Sequence, residues 1–193
     1  TAGSSLTDHA YNPYQLSQMV ENLPGPRTRV ENSMLLDAPD IEQAASWKNK
    51  VVTIPGHGPN ANQLVLLTAH LDSITYTDPN NKAPGAEDNG SGVAALMEAA
   101  RLFPYYKFDR TIKIIFFTGE EQGLYGSAAY VADHSSEMPN IVGVVNLDMF
   151  GYDSNQDKCI ELHVGTLSAS NTVGTCFTDV NTNYNLGLSF DYL

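Results

Sequence analysis

Long apolar runs dominate the pattern of hydrophobic and polar positions along this chain. The strongest cover residues 63–70, 111–118 and 141–147. Such runs are typical of central strands that are covered on both faces of a sheet. Shorter strands are predicted at 28–36, 50–55 and 159–164.

Segments with helical spacing accompany these strands. Segment 13–23 places its apolar residues on one face, and Pro24-Gly25-Pro26 ends it. Strands that alternate with helices indicate an α/β sandwich around a mostly parallel sheet. Further helices are predicted at 91–103, 125–134 and 168–181.

Polar groups follow the three strongest apolar runs. His70, Glu120 and Asp148 each come at or just past the carboxyl end of a predicted strand, which is where α/β sheets bind their ligands. A buried carboxylate is costly unless a compensating charge is present. The pattern therefore favours a pair of metal ions at this edge of the sheet.

Two strand ends carry residue pairs that suit metal chemistry. His70 can ligate zinc through one ring nitrogen while Asp72 accepts from the other; the alternative is a core His followed by a turn-forming Asp. Glu120 and Glu121 point in opposite directions in extended backbone. One could bind metal while the other takes a proton from water, and the alternative of a surface acidic pair is rare directly after Ile-Ile-Phe-Phe.

A glycine-rich loop at 85–92 carries Asp88, whose carboxylate could bridge two ions. The alternative for Asp88 is an ordinary N-cap of the helix that follows. Met149, Phe150 and Tyr152 follow the last strand end, where they could line an apolar pocket or pack as core and rim residues.

The types of the candidate ligands indicate which metal ion to expect. Oxygen-rich ligation with one His fits zinc, manganese or cobalt, of which we expect zinc. Two such ions stabilise both a nucleophile and a developing oxyanion. The glycosylation motif that begins at Asn89 falls inside the proposed site and is interpreted as accidental. The other histidines carry no supporting motif and are expected at the surface or in the core: His9, His57, His134 and His163.

Four segments together resemble the M28 family of metallopeptidases, the secreted zinc aminopeptidases of bacterial and fungal type. They are Ala-His-Leu-Asp-Ser (69–73), Pro-Gly-Ala-Glu-Asp-Asn-Gly-Ser-Gly (84–92), Gly-Glu-Glu-Gln-Gly-Leu-Tyr-Gly-Ser (119–127) and Asn-Leu-Asp-Met (146–149). The match runs from about 49 to 152. The resemblance implies a three-layer sandwich with a central, mostly parallel mixed β-sheet flanked by helices, as in zinc-dependent exopeptidases, within a single peptidase domain over 1–193.

The resemblance also implies a role for each matched residue. His70 and Asp148 would hold one zinc ion, Glu121 would hold a second, and Asp88 would bridge both. Glu120 would be the general base that deprotonates the bridging water.

The implied substrate is a peptide or protein with a free α-amine, whose first peptide bond is hydrolysed. Asp72 would orient His70. Met149 would lie at the pocket for the N-terminal side chain, with Phe150 and Tyr152 as further pocket candidates.

One departure from the family pattern affects this expectation. The family has another ligand, a His in a C-terminal Ser-Asp-His-like motif, whereas residues 189–193 read Ser-Phe-Asp-Tyr-Leu. We expect a fragment, so that a missing segment or a partner supplies the last ligand. The alternatives are a minimal form, in which water or a residue of a partner fills this position, and a degenerate, inactive member. The implied cofactor is two zinc ions, or one in this chain. The alternative functions are a one-zinc glutaminyl-cyclase-like or carboxypeptidase-like relative and an inactive interaction module of the same fold.

The net charge and the cysteine content bear on which partners the chain binds and on where it is located. The net charge is −12 and no basic run exists, which argues against nucleic acid and anionic membranes as partners. No apolar run approaches the roughly 20 residues that span a bilayer. The first residues resemble a processed end, and we expect a secreted protein. Cys159 and Cys176 either pair or are buried thiols.

Overall fold

We describe the fold from a computed structural model of the chain, in which residues 29–34, 48–76 and 83–193 are described. The chain divides into two compact units, one that ends at Met149 and one that spans Phe150–Leu193. The predicted helix at 13–23 and His9 lie outside the described residues. The expectation of a single domain stays a prediction.

The first unit contains a five-stranded mixed sheet. Its spatial order is β1-β2-β4-β3-β5. The neighbouring pairs β4–β3 and β3–β5 are parallel, whereas β1–β2 and β2–β4 are antiparallel. The predicted α/β fold class is therefore confirmed. The strands are β1 (Arg29–Met34), β2 (Lys48–Ile54), β3 (Leu64–His70), β4 (Thr111–Phe117) and β5 (Ile141–Asn146).

Helices cover the two faces of this sheet, α1 (Gly90–Leu102) on one and α2 (Tyr125–Asp133) on the other. Leu96 of α1 packs in one apolar cluster with Val52 and Ile114. Tyr130 of α2 packs in a second cluster, which contains the next residues along the same two strands, Val51 and Ile115. Successive strand residues point to opposite faces, so the continuous apolar runs are explained by a three-layer arrangement.

Strand β5 departs from its prediction. It was expected to be covered on both faces, but Val142 and Val144 are exposed. Within the described part of the chain, β5 pairs only with β3 and forms an edge of the sheet. The helices α1 and α2 pack mainly over β1–β4, so within the described part of the chain one face of β5 is not covered by them.

The second unit is small. It contains β6 (Cys159–Leu162), α3 (Ser168–Tyr184) and β7 (Ser189–Tyr192), and its two strands are parallel. The predicted strand and helix at 159–164 and 168–181 are confirmed. Strand β7 was missed because its four residues are mostly exposed and show no strong apolar pattern.

The two cysteines differ from both alternatives that the sequence suggested. Cys159 and Cys176 are both free and exposed, so neither proposed alternative, a disulfide or a pair of buried thiols, is correct. No helix among the described residues is both long and apolar enough to cross a membrane.

A largely buried ion pair joins β4 to the segment after α2. Lys113 Nζ lies 2.6 Å from Glu137 Oε2, and their side chains are 7% and 33% exposed. Because removal of one partner leaves a buried charge without its partner, we expect Glu137→Ala to lower the free energy of unfolding by about 1–3 kcal/mol. Urea unfolding measures this loss.

The matched control is Glu98→Ala, which removes a solvent-exposed pair with Arg101 and should change stability little. A second substitution, Lys113→Met in the Glu137→Ala background, should recover part of the loss. Further destabilisation by that second substitution would contradict the buried-charge explanation.

Candidate metal centre

The carboxyl ends of β3, β4 and β5 bring the predicted site residues to one place. His70 pairs with Phe117 of β4, and Thr68 pairs with Asn146 of β5. The residues that follow these parallel strands therefore emerge beside His70. This register explains why Glu120 and Asp148, distant in sequence, share one site with the end of β3.

The imidazole of His70 is the centre of this cluster. Its side chain is only 3% exposed, and its Nε2 lies 2.9 Å from Asp88 Oδ1, 3.5 Å from Asp148 Oδ1 and 4.0 Å from Glu120 Oε2. Donor atoms of His70, Asp88 and Asp148 all lie within 4.8 Å of one another, as do those of His70, Glu120 and Glu121. The structure thus brings together the four predicted ligands and the predicted base, whose individual roles stay predictions.

Asp72 acts through both its main chain and its side chain. His70 Nδ1 lies 3.0 Å from the Asp72 carbonyl oxygen and 3.8 Å from its Oδ1, so the carbonyl is the nearer acceptor. The Asp72 carboxylate accepts hydrogen bonds from the amides of Glu120 (3.2 Å) and Glu121 (3.1 Å). A donation from Nδ1 directs Nε2 towards the carboxylates. Asp72 therefore connects His70 to the acidic pair after β4, which the sequence did not reveal.

The charges in the cluster shift its protonation. Burial disfavours a charged imidazole, but the carboxylates of Asp72, Asp148 and Glu120 outweigh burial and raise the pKa of His70 to about 9. Burial raises the pKa of Glu120, Glu121 and Asp148, and neighbouring carboxylates add to this effect against the opposing charge of His70.

The pKa of Asp72 is shifted downwards, opposite to the pKa shifts of Glu120, Glu121 and Asp148. Burial alone would raise the pKa of Asp72, but the neighbouring imidazole of His70 and hydrogen bonds from the two backbone amides lower it. Asp72 is therefore held as an anion, while the other acids carry a mutual repulsion that a divalent cation would relieve. One imidazole nitrogen with several carboxylate oxygens is a donor set that suits zinc.

Asn89 removes the capping alternative for Asp88. Asn89 is the N-cap of α1, and its Oδ1 accepts from the amide of Gly92 at 3.1 Å. The carboxylate of Asp88 therefore does not cap the helix and faces His70. The peptide bond between Asp88 and Asn89 is cis. The Nδ2 group of Asn89 is buried and donates to Leu147 O at 2.8 Å, which supports the interpretation that its glycosylation motif is accidental.

Asn49 is a supporting residue that the sequence analysis missed. It is fully buried at the start of β2, where its Nδ2 donates to Gly126 O at 2.7 Å and its Oδ1 accepts from Thr118 N at 3.1 Å. These bonds hold both ends of the loop that carries Glu120 and Glu121. Asn49 lies between two lysines at the start of β2, and this polar stretch gives no sign in the sequence that its side chain is buried.

An open cavity of about 270 Å³ adjoins the cluster. The cavity is lined by Thr68, His70, Phe117, Glu120, Leu124, Ser127, Asn146 and Asp148.

The three predicted substrate-pocket residues do not belong to this lining. Met149 is exposed, and Phe150 and Tyr152 are exposed in the second unit, so the role of all three in a substrate pocket stays a prediction.

The remaining described histidines are His57, His134 and His163. His134 stacks on Tyr130 with ring centroids 4.1 Å apart, and His57 and His163 are exposed. None of the three belongs to a metal-ligand group that the described residues form.

The raised pKa of His70 predicts that zinc binding releases a proton. With a pKa of about 9, His70 is protonated in the metal-free protein at about pH 7.5, so a cation must displace that proton and its apparent affinity should rise with pH towards 9. Calorimetric titrations in buffers of different ionisation enthalpy measure the release. His70→Asn should abolish it and His57→Asn should not; heats that are independent of the buffer would contradict the prediction.

Comparison with known proteins identifies the family of this chain. A model of peptidase family M28 matches residues 49–188. A probable leucine aminopeptidase 1 of Trichophyton verrucosum (strain HKI 0517) is 36% identical over 126 residues, which are 61% of this chain and 33% of that protein. BSAP, a zinc aminopeptidase from Bacillus subtilis, has a TM-score of 0.59 at 33% identity, over 75% of this chain and 34% of its own.

A third similarity concerns the fold alone. LapB from Legionella pneumophila has a TM-score of 0.69 at 22% identity, over 93% of this chain and 46% of its own. The chain spans about a third of the length of the curated leucine aminopeptidase relative that it matches. The family model covers most of the chain, including all the predicted metal ligands. This chain therefore belongs to peptidase family M28.

Proposed function

We propose that this chain functions as a zinc-dependent aminopeptidase, which hydrolyses the N-terminal peptide bond of peptide substrates. The observation that carries the proposal is the convergence of four carboxylates on the buried imidazole of His70. Membership of family M28 and the names of the relatives, a leucine aminopeptidase and a zinc aminopeptidase, support it. Secretion stays a prediction.

The ligand set would hold two zinc ions. His70, Asp88 and Asp148 would hold one ion, and three protein ligands are the number typical of catalytic zinc sites. Asp88 and Glu121 would hold a second ion. When bound, zinc would polarise the scissile carbonyl and lower the pKa of water.

Glu120 is suited to the role of general base. Its side chain is partly exposed and lines the cavity beside His70, and burial raises the pKa of its carboxyl group, which brings a base closer to neutral pH. Its backbone amide is bound by Asp72 at 3.2 Å. We infer that the Glu120 carboxylate takes a proton from the attacking water and delivers it to the leaving amine, while the water oxygen bonds to the carbonyl carbon and the C–N bond breaks.

Substitutions of the two neighbouring glutamates should distinguish the general base from a metal ligand. Glu120→Gln removes the proton acceptor and should lower kcat for peptide hydrolysis by at least about 10²-fold, with zinc content unchanged. Glu121→Gln should lower the zinc content itself, measured by elemental mass spectrometry. Glu98→Gln, on an exposed helix face, should preserve both values. A Glu120→Gln enzyme with parental kcat would refute the assignment of the base.

Substrate comparison tests the proposed reaction. The zinc-loaded chain should release the first residue of a peptide with a free N-terminal leucine and should not cleave its N-acetylated analogue. Chelation should stop the reaction and added zinc should restore it. Cyclisation of an N-terminal glutamine, release of a C-terminal residue, or zinc binding without hydrolysis would instead favour the cyclase-like, the carboxypeptidase-like or the inactive alternative.

A further inference from the structure

The side chain of Asn89 connects two loops that carry proposed ligands. Asn89 directly follows Asp88, and Leu147 directly precedes Asp148. The Nδ2 group of Asn89 donates to Leu147 O at 2.8 Å, across 58 positions of sequence. Asn89 itself is only 2% exposed, so this hydrogen bond is shielded from competing water.

Leu147 is held on its other side by the strand that carries the imidazole. Its amide donates to Thr68 O at 2.8 Å, two residues before His70. The peptide groups of Leu147 therefore connect, through hydrogen bonds, the backbones that carry His70, Asp88 and Asp148. These three residues are the three-ligand group of the proposed zinc site.

Gly92 shows how closely the Asn89 loop approaches the end of β5. A Cβ atom at Gly92 would lie 2.7 Å from Leu147 O and 2.4 Å from Asn89 Oδ1. Such contacts are too short for any side chain. The first turn of α1 is thus seated directly against Leu147, and the amide of Asn89 spans the remaining gap.

We propose that Asn89 is a positioning residue that sets the separation of the Asp88 and Asp148 carboxylates, and with it the affinity of the metal site. This inference rests on the proposed function, because it concerns the same zinc ligands. Residues that support metal ligands in this indirect way commonly change metal affinity when they are replaced.

The two hydrogen-bonding groups of Asn89 separate this role from simple capping. The cap needs only an acceptor for Gly92 N, and Asp and Ser supply one as well as Asn does. The bond to Leu147 O needs a donor, which only the amide supplies at this reach. Asn89→Asp and Asn89→Ser therefore preserve the cap and remove the link.

Asn89→Asp gives the sharper test because two explanations predict opposite results. An additional carboxylate beside the site should tighten zinc binding if charge alone matters. If the amide positions the ligands, the new acceptor repels Leu147 O, and zinc binding should weaken. Asn181→Ser is the matched control, since Asn181 makes the same kind of paired bonds to the backbone of Leu188 in the second unit.

The experiment measures zinc affinity by competition with a chromogenic chelator, together with the visible spectrum of the cobalt-substituted protein. We expect both Asn89 variants to keep the circular dichroism of the metal-free parent. Their zinc Kd should rise by at least about tenfold, and their cobalt spectra should change in wavelength or intensity. Asn181→Ser should match the parent in both measurements.

Each other outcome overturns a defined part of the proposal. Parental or tighter zinc binding by Asn89→Asp, with an unchanged cobalt spectrum, would reduce Asn89 to a helix cap. Loss of the metal-free fold in both variants would make the amide a requirement of folding and would also overturn the positioning role. A parent that binds zinc no better than His70→Asn would overturn the metal site itself, and the positioning role with it.

Discussion

The electrostatic attraction between the buried imidazole of His70 and the carboxylates around it is the interaction on which the site depends. Asp88, Glu120 and Asp148 approach the same ring nitrogen, so a proton on His70 offsets part of their negative charge. This attraction raises the pKa of His70 to about 9 against the effect of burial. A divalent cation can replace this proton, because its positive charge attracts every carboxylate in the cluster.

Holding these groups together requires ordered loops at the ends of three strands. Asn49, Asp72 and Asn89 provide that order through side-chain bonds to backbone groups of other segments. Loop backbone has no regular ladder to satisfy its polar groups, so such partners are needed wherever the loop is buried. The parallel pairing of β3, β4 and β5 sets the common edge, and these side chains set the finer spacing.

Much of this arrangement is predictable from sequence, for identifiable reasons. Apolar runs that are closed or closely followed by His70, Glu120 and Asp148 indicate both the buried strands and the edge at which they meet. The apolar runs do not indicate which other elements pack against each strand. The exposed face of β5 depends on which elements pack over Val142 and Val144. The bond from Asn89 to Leu147 depends on the approach of α1 to the end of β5, and sequence spacing does not encode that approach.

The proposed chemistry depends on a zinc ion held by His70, Asp88 and Asp148. Anomalous diffraction at the zinc absorption edge, from crystals of the zinc-loaded chain, tests this most directly. We expect a strong anomalous peak in contact with His70 Nε2 and with the carboxylates of Asp88 and Asp148. Zinc-loaded crystals without a peak at these three residues, or with zinc bound only elsewhere, would contradict the account.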